Sequence, residues 1–245
     1  MRFLVFQHIA VEHPGIFREL MRSDGIAWDA IELDAGEPIP PLSGYDALLV
    51  FGGPMDVWEE AEHPWLVAEK AAIRSFVNDM RRPFLGVCLG HQLLAAALGG
   101  SVGLMVRPEV GITDLRLTPA GSSDPLFGAL TQPMTCVQWH GAEVKRLPEH
   151  TVVLAENDAC PVQAMRIHDH AYGLQYHVEI DERTMAEWGE IPAYRRALEA
   201  VKGRAGQAEL ERAVAKRMGA LRATAETVFR RLRLLAAARA HAMSS

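Results

Sequence analysis

Gly86-Val87-Cys88-Leu89-Gly90-His91-Gln92 is the stretch whose reading decides the fold. Ahead of it, Pro83-Phe84-Leu85 reads as the start of a short buried strand. Behind it, Gln92-Leu93-Leu94-Ala95-Ala96-Ala97-Leu98 reads as a helix, stopped by Gly99-Gly100 at its C-terminal cap. A strand that turns straight into a helix has room for one residue at the apex. Gly86 and Gly90, two before it and two after, let the backbones of strand and helix approach closely. This is the geometry of a G-x-S-x-G elbow with sulfur in place of the serine oxygen. Cys88 at the apex would sit at the positive end of the following helix, which favours the reactive thiolate. A lone cysteine is more commonly a small buried hydrophobe, so the rest of the chain has to decide.

Outward from the elbow, the N-terminal half alternates strands and helices. Phe3 to Phe6 is a continuous apolar run, as expected of a strand buried on both faces. Glu12-His13-Pro14-Gly15 opens a helix with Ile16, Phe17, Leu20 and Met21 on its apolar side, closing near Asp24-Gly25. Ala27 to Leu33 reads as a second strand, Asp34 to Ser43 as a loop, and Tyr45 to Phe51 as a third strand ending on Gly52-Gly53-Pro54. Pro64 starts a helix running to about Met80. That rhythm belongs to a mainly parallel open sheet flanked by helices. After Gly100 the pattern turns antiparallel: Val110 to Leu117, Thr151 to Ala155, and a hairpin of Pro161–Ile167 and Ala171–His177 about the turn His168-Asp169-His170. The expected fold is α/β with added antiparallel strands over residues 1–200. A linker-like Lys202-Gly203-Arg204-Ala205-Gly206 then opens a helical extension, 201–245. Its apolar positions run from Leu210 to Leu235 at spacings of three and four, with a basic remainder. Such a helix either closes its own domain or docks on a second subunit.

Composition narrows the function classes. With 49% hydrophobic and 23% charged residues the chain has ordinary globular composition. A formal charge of −6 argues against a general nucleic-acid binder. Cys88, Cys136 and Cys160 include no C-x-x-C pair, so neither a disulfide framework nor a zinc site is expected, and a reducing cytoplasm fits. The N-terminal apolar run is too short for a signal peptide, and no stretch approaches the ~18 apolar residues of a membrane span.

A cysteine nucleophile needs a base, an orienting group for that base, and donors for the oxyanion. In His177-Val178-Glu179 the two polar residues point to one side of an extended segment, so Glu179 can reach the imidazole and fix its tautomer. Gly52-Gly53-Pro54 follows an apolar strand where a parallel sheet places a second loop beside the elbow. The amides of Gly53 and Leu89 are therefore the candidate oxyanion donors, glycine leaving bare backbone against a substrate.

Together, Phe51-Gly52-Gly53-Pro54, the elbow heptapeptide and Tyr172-Gly173-Leu174-Gln175-Tyr176-His177-Val178-Glu179 resemble the three signatures of class I, triad-type glutamine amidotransferases. The nearest match is to stand-alone proteins resembling the glutaminase domain of GMP synthase, over roughly residues 1 to 190. The resemblance implies a flavodoxin-like fold, Cys88 as nucleophile, His177 as base and Glu179 as its partner. It also implies that Gly52, Gln92 and Trp139-His140-Gly141 line the pocket for the glutamyl moiety, with no cofactor. Two departures stand out. Val178 replaces the usual proline of His-Pro-Glu, and no synthetase domain accompanies the amidotransferase part. The reaction implied is hydrolysis of a γ-glutamyl amide through a thioester. The leaving group is left open between ammonia for a separate synthetase and an amine or peptide. The other readings are a thiol peptidase or chaperone-like protein sharing the elbow, a homodimer, and a non-catalytic regulatory or binding subunit.

Overall fold

The structure is a computed structural model that describes residues 1–244. Three apolar runs form its parallel centre: β1 (Arg2–Gln7), β3 (Ala47–Val50) and β4 (Phe84–Val87), buried throughout except at Arg2. Strands covered on both faces need apolar residues at every position. In β1, Phe3 and Val5 face one layer while Leu4 and Phe6 face the other. β2 (Ala27–Glu32) lies half exposed at the edge. The C-terminal half supplies β5 (Ser101–Leu117), β6 (Met134–Arg146), β7 (Thr151–Glu156), β8 (Ala164–Ile167) and β9 (Ala171–Leu174). All nine form one sheet in the order β2-β1-β3-β4-β9-β8-β7-β5-β6. Pairing is parallel from β2 to β9 and antiparallel from β9 to β6.

The helices are α1 (Phe17–Ser23), α2 (Trp65–Arg74), α3 (Leu89–Ala97), α4 (Pro119–Ser122), α5 (Thr184–Gly189), α6 (Pro192–Lys202), α7 (Gly206–Ala215) and α8 (Met218–Ser244). On one face, Phe17 of α1 and Val228, Phe229 and Leu232 of α8 pack with Phe3, Val5 and Phe51. On the other, Leu66 and Ile73 of α2 and Leu93 and Leu94 of α3 pack with Leu4, Phe6, Leu48 and Val50. A third cluster joins Val110, Val137 and Trp139 to Trp188, Tyr194, Leu198, Leu210, Val214 and Leu221.

Several boundaries differ from expectation. The helix after Pro64 widens at Ser75–Asp79 into a π turn closed by a 2.9 Å bond from Met80 N–H to the Ser75 carbonyl. The strand read as Val110–Leu117 is the second half of a longer one, β5, whose register shifts between Leu104 and Glu109, around Arg107-Pro108. Pairing of β9 stops at Leu174, after which the chain leaves β8 and His177 N–H bonds the Val137 carbonyl instead. The single helical pattern from Leu210 to Leu235 is two helices. Leu210 and Val214 serve the third cluster, and Val228 to Ala236 serve the first, so the chain turns at Lys216-Arg217 to reach both. Among the described residues no helix is long and apolar enough to cross a membrane.

Candidate active site

The loops after β1, β3 and β4 gather at the carboxyl edge of the parallel half, where open α/β sheets place their crevice. Cys88 is the residue between β4 and α3, with φ +53° and ψ −105°. A residue with a β-carbon held in that region stores strain of about 1–3 kcal/mol and needs neighbours to hold it. A 2.8 Å bond from its N–H to the Leu174 carbonyl ties it to β9. Gly86 and Gly90 supply the space: a Cβ at Gly86 would lie 2.3 Å from the Gly90 carbonyl oxygen, and one at Gly90 would lie 2.1 Å from that of Val50. The helix start leaves the Leu89 N–H without a protein acceptor among the described residues, and the Gly53 N–H is in the same position.

His177 is buried beside Cys88, to which its ring is hydrogen bonded. Its Nδ1 donates to Glu179 Oε1 at 2.7 Å, which leaves Nε2 for the sulfur. Burial pulls the imidazole pKa down, but Glu179 and Cys88 outweigh it and hold the imidazolium well above the ordinary histidine range. Glu179 Oε2 accepts the Val178 N–H at 2.9 Å. A proline at 178 could not make that bond. The substitution therefore trades a rigid ring for a donor that fixes the carboxylate. On the far side, Ile16 N–H donates to the Glu179 carbonyl at 2.8 Å, and Gly15, at φ +49°, makes room because a Cβ there would lie 1.8 Å from that oxygen. His91, the elbow's own histidine, is excluded as a base: burial pushes its pKa down to about 3.

A cavity of about 170 Å³, half open to solvent, lies against Cys88. Gly53, Leu89, Gln92, Trp139, His140 and Gly141 line it as expected, whereas Gly52 is absent from its wall. Gly52 turns its carbonyl to His8 and its Cα to the Glu12 carboxylate. Gln92 Nε2 donates to the Ala142 carbonyl and to Gln175 Oε1, at 3.2 and 3.1 Å. His140 Nδ1 donates to the same carbonyl at 2.9 Å, while its Nε2 lies 3.2 Å from Glu109 Oε2. These two side chains thus hold the 139–142 segment in place as well as forming the wall.

Four residues of this region escape the motif reading: His8, Glu12, Trp188 and Tyr194. Trp188 meets the His177 ring edge-on at 4.5 Å, and Tyr194 of α6 donates its hydroxyl to Glu12 Oε1 at 2.6 Å. One side-chain donor atom from each of Glu12, His177 and Glu179 lies within 4.8 Å of the other two. That spacing would admit a cation, but the His177–Glu179 and Tyr194–Glu12 hydrogen bonds already engage these groups as a buried network. The available sequence cue was position: His8 and Glu12 fall in the loop directly after β1, on the crevice edge.

Burial raises the Glu12 carboxyl to about 7, with His177 pulling down, Glu179 pushing up, and Tyr194 and His8 pulling down. Between the ordinary carboxylate range and that value the folded chain holds a proton that the unfolded chain has lost, so stability falls as pH rises through this window, by about 3 kcal/mol in all. Glu12→Gln keeps an acceptor for Tyr194 and cannot ionise. Denaturant unfolding at pH 5 and pH 8 should therefore show the variant gaining on the wild type at the higher pH by about that amount. A difference that stays constant between the two pH values would contradict the assignment.

Comparison with known proteins places this geometry. The sequence model of the family "Glutamine amidotransferase class-I" matches residues 18–187. The glutamine amidotransferase-like protein YfeJ of Salmonella typhimurium is 34% identical over 73% of this chain and 76% of its own. The glutamine-hydrolyzing component of the GMP synthase of Sulfolobus acidocaldarius is 29% identical over 62% and 77%. Gamma-glutamyl peptidase 3 of Arabidopsis thaliana is 27% identical over 70% of each. A crystal structure of a glutamine amidotransferase from Thermotoga maritima superposes with TM-score 0.84 and 27% identity, covering 95% of this chain and 97% of that one. The chain belongs to the class-I glutamine amidotransferase family.

Proposed function

We propose that the protein hydrolyses a γ-glutamyl amide bond, with Cys88 as nucleophile. The observation that supports this most is the strained Cys88 against a His177 whose other nitrogen is held by Glu179. The Cys88 thiolate attacks the γ-carbonyl carbon, and the oxygen takes the negative charge before the Gly53 and Leu89 N–H groups. The C–N bond then breaks as imidazolium His177 gives its proton to the departing nitrogen. A γ-glutamyl thioester remains. Neutral His177 takes a proton from water, the hydroxide adds to the thioester, and collapse releases glutamate and the Cys88 thiolate. Glu179 orients the imidazole and stabilises its charged form throughout.

We further infer that the leaving group is an amine or a peptide rather than ammonia. The cavity is half open, and Ala193, Tyr194 and Ala197 of α6, beyond the family match, line one side of it. The extension after residue 200 packs in cis, Val228, Phe229 and Leu232 against β1 and α1. An active site closed by its own chain does not wait for a partner to order it. The ammonia-delivering reading has one observation in its favour: Leu104 and Val106 are 66% and 98% exposed beside Pro108 on the cavity rim, a place for a synthetase to dock. Steady-state kcat/KM for glutamine, γ-glutamyl amines and γ-glutamyl dipeptides separates the two. The isolated protein should prefer a γ-glutamyl amine or peptide; a preference for glutamine, or turnover appearing only with an added synthetase, would reverse the choice.

A further inference from the structure

The Cys88 reaction leaves a buried ionisable pair without a task. His8 stands directly after β1, 1% exposed, its ring stacked on Trp65 at 5.4 Å and 16°. Its Nδ1 lies 2.9 Å from the Gly52 carbonyl oxygen, and its Nε2 lies 2.9 Å from Glu69 Oε1 of α2. A carbonyl can only accept, so Nδ1 carries a proton whichever side of Nε2···Oε1 holds the other. Both side chains of the pair are fully buried. Burial draws the His8 pKa down and Glu69 more than restores it, which keeps the ring a donor on both sides. Holding two ionisable groups away from water is costly, and hydrophobic residues would fill the same space.

The acceptor gives the pair its meaning. The Gly52–Gly53 peptide is trans, so its C=O and N–H point to opposite sides of one rigid plane. A donor that holds the carbonyl toward His8 turns the Gly53 N–H away from His8. Gly53 lies on the cavity wall shared with Cys88 and Leu89, and its N–H has no protein acceptor among the described residues. Two successive glycines offer the widest freedom to rotate, so without an outside constraint this plane could turn over and present a carbonyl oxygen instead.

We propose that the His8–Glu69 pair is a positioning device that fixes the Gly52–Gly53 peptide plane, so that the Gly53 N–H faces the oxygen of the tetrahedral intermediate. The proposal rests on the Cys88 mechanism above. His8 touches no substrate; it acts through the peptide it holds.

Two amide substitutions separate this role from packing. In His8→Asn the amide nitrogen falls where Nδ1 was and still reaches the Gly52 carbonyl. In His8→Gln it falls where Nε2 was and reaches Glu69 only. Glutamate release from L-glutamine and from γ-glutamyl-p-nitroanilide is measured for both, beside the rate at which iodoacetamide alkylates Cys88, a reaction that forms no oxyanion. His8→Gln should lose about 10²-fold in kcat, the scale of one oxyanion donor, with KM and alkylation within about threefold of wild type. His8→Asn should recover kcat to within about tenfold. Equal kcat for the two variants, or a loss in His8→Gln shared by KM and alkylation, would overturn the role. A Cys88→Ala control distinguishes the failures. If it keeps wild-type turnover, the Cys88 mechanism falls and the proposal with it; if it is inactive while His8→Gln is fully active, only the positioning role falls. Should His8→Gln not fold, ¹⁵N-histidine NMR of the wild type decides: His8 protonated at Nδ1 supports the proposal, and a bare Nδ1 overturns it.

Discussion

Cys88→Ala and His177→Ala are each expected to lower kcat/KM for glutamate release by at least about 10³-fold, with the fold retained. Nucleophile and base act as one unit, so either loss removes most of what the two supply together. The geometry makes the dependence concrete. Cys88 is held at φ +53° by β9 behind it and α3 ahead of it, and His177 is the buried imidazole bonded to its sulfur. Cys88→Ser should be nearly as damaging, because a hydroxyl is far harder to ionise beside the same histidine. Retention of more than about a hundredth of the wild-type rate by Cys88→Ala would remove it as the nucleophile.

The largest stability effect is expected at Gly90. An alanine there would put its methyl carbon 2.1 Å from the Val50 carbonyl oxygen and 3.0 Å from the Val50 Cβ, in the layer where β3 meets α3. Val50 belongs to the buried core, and a backbone carbonyl cannot turn aside as a side chain can. Separating strand and helix enough to relieve the clash opens tightly packed core, at a cost of about 3 kcal/mol or more. Gly44→Ala is the matched control, since an added methyl at that position meets nothing within 4 Å. Denaturant unfolding should show a large loss for Gly90→Ala and a negligible change for Gly44→Ala; similar midpoints for the two would contradict the close approach.

What the sequence made legible was local. The elbow is written in seven consecutive residues, the His177–Glu179 bond in a spacing of two, and β1, β3 and β4 in unbroken apolar runs. What stayed hidden depends on distant chain. β6 was missed because its inward positions include Gln138 and His140, which break the hydrophobic pattern. Each is buried only because Gln163 and Glu109 arrive from elsewhere to bond it. Glu12 read as the opening of a helix because nothing nearby in sequence shows that Tyr194 lies 182 residues away to meet its carboxylate. α5 and α6 are short, and their inward residues Trp188, Tyr194 and Leu198 acquire meaning only against Trp139 on β6. The turn at Lys216-Arg217 carries no glycine or proline; it is imposed by the two separate cores its flanking helices serve.

The most direct test of the account is the reaction of the wild-type protein with a chloromethyl ketone analogue of glutamine, followed by peptide mapping of the adduct. Cys136 and Cys160 are buried thiols, their ionisation pushed up by loss of solvent, to about 12 for Cys160. Neither lines the cavity at Cys88. The account predicts a single adduct, on Cys88, appearing in step with loss of glutamate release and slowed by added γ-glutamyl substrate. Inactivation with the label on another residue, or full activity with Cys88 fully alkylated, would contradict it.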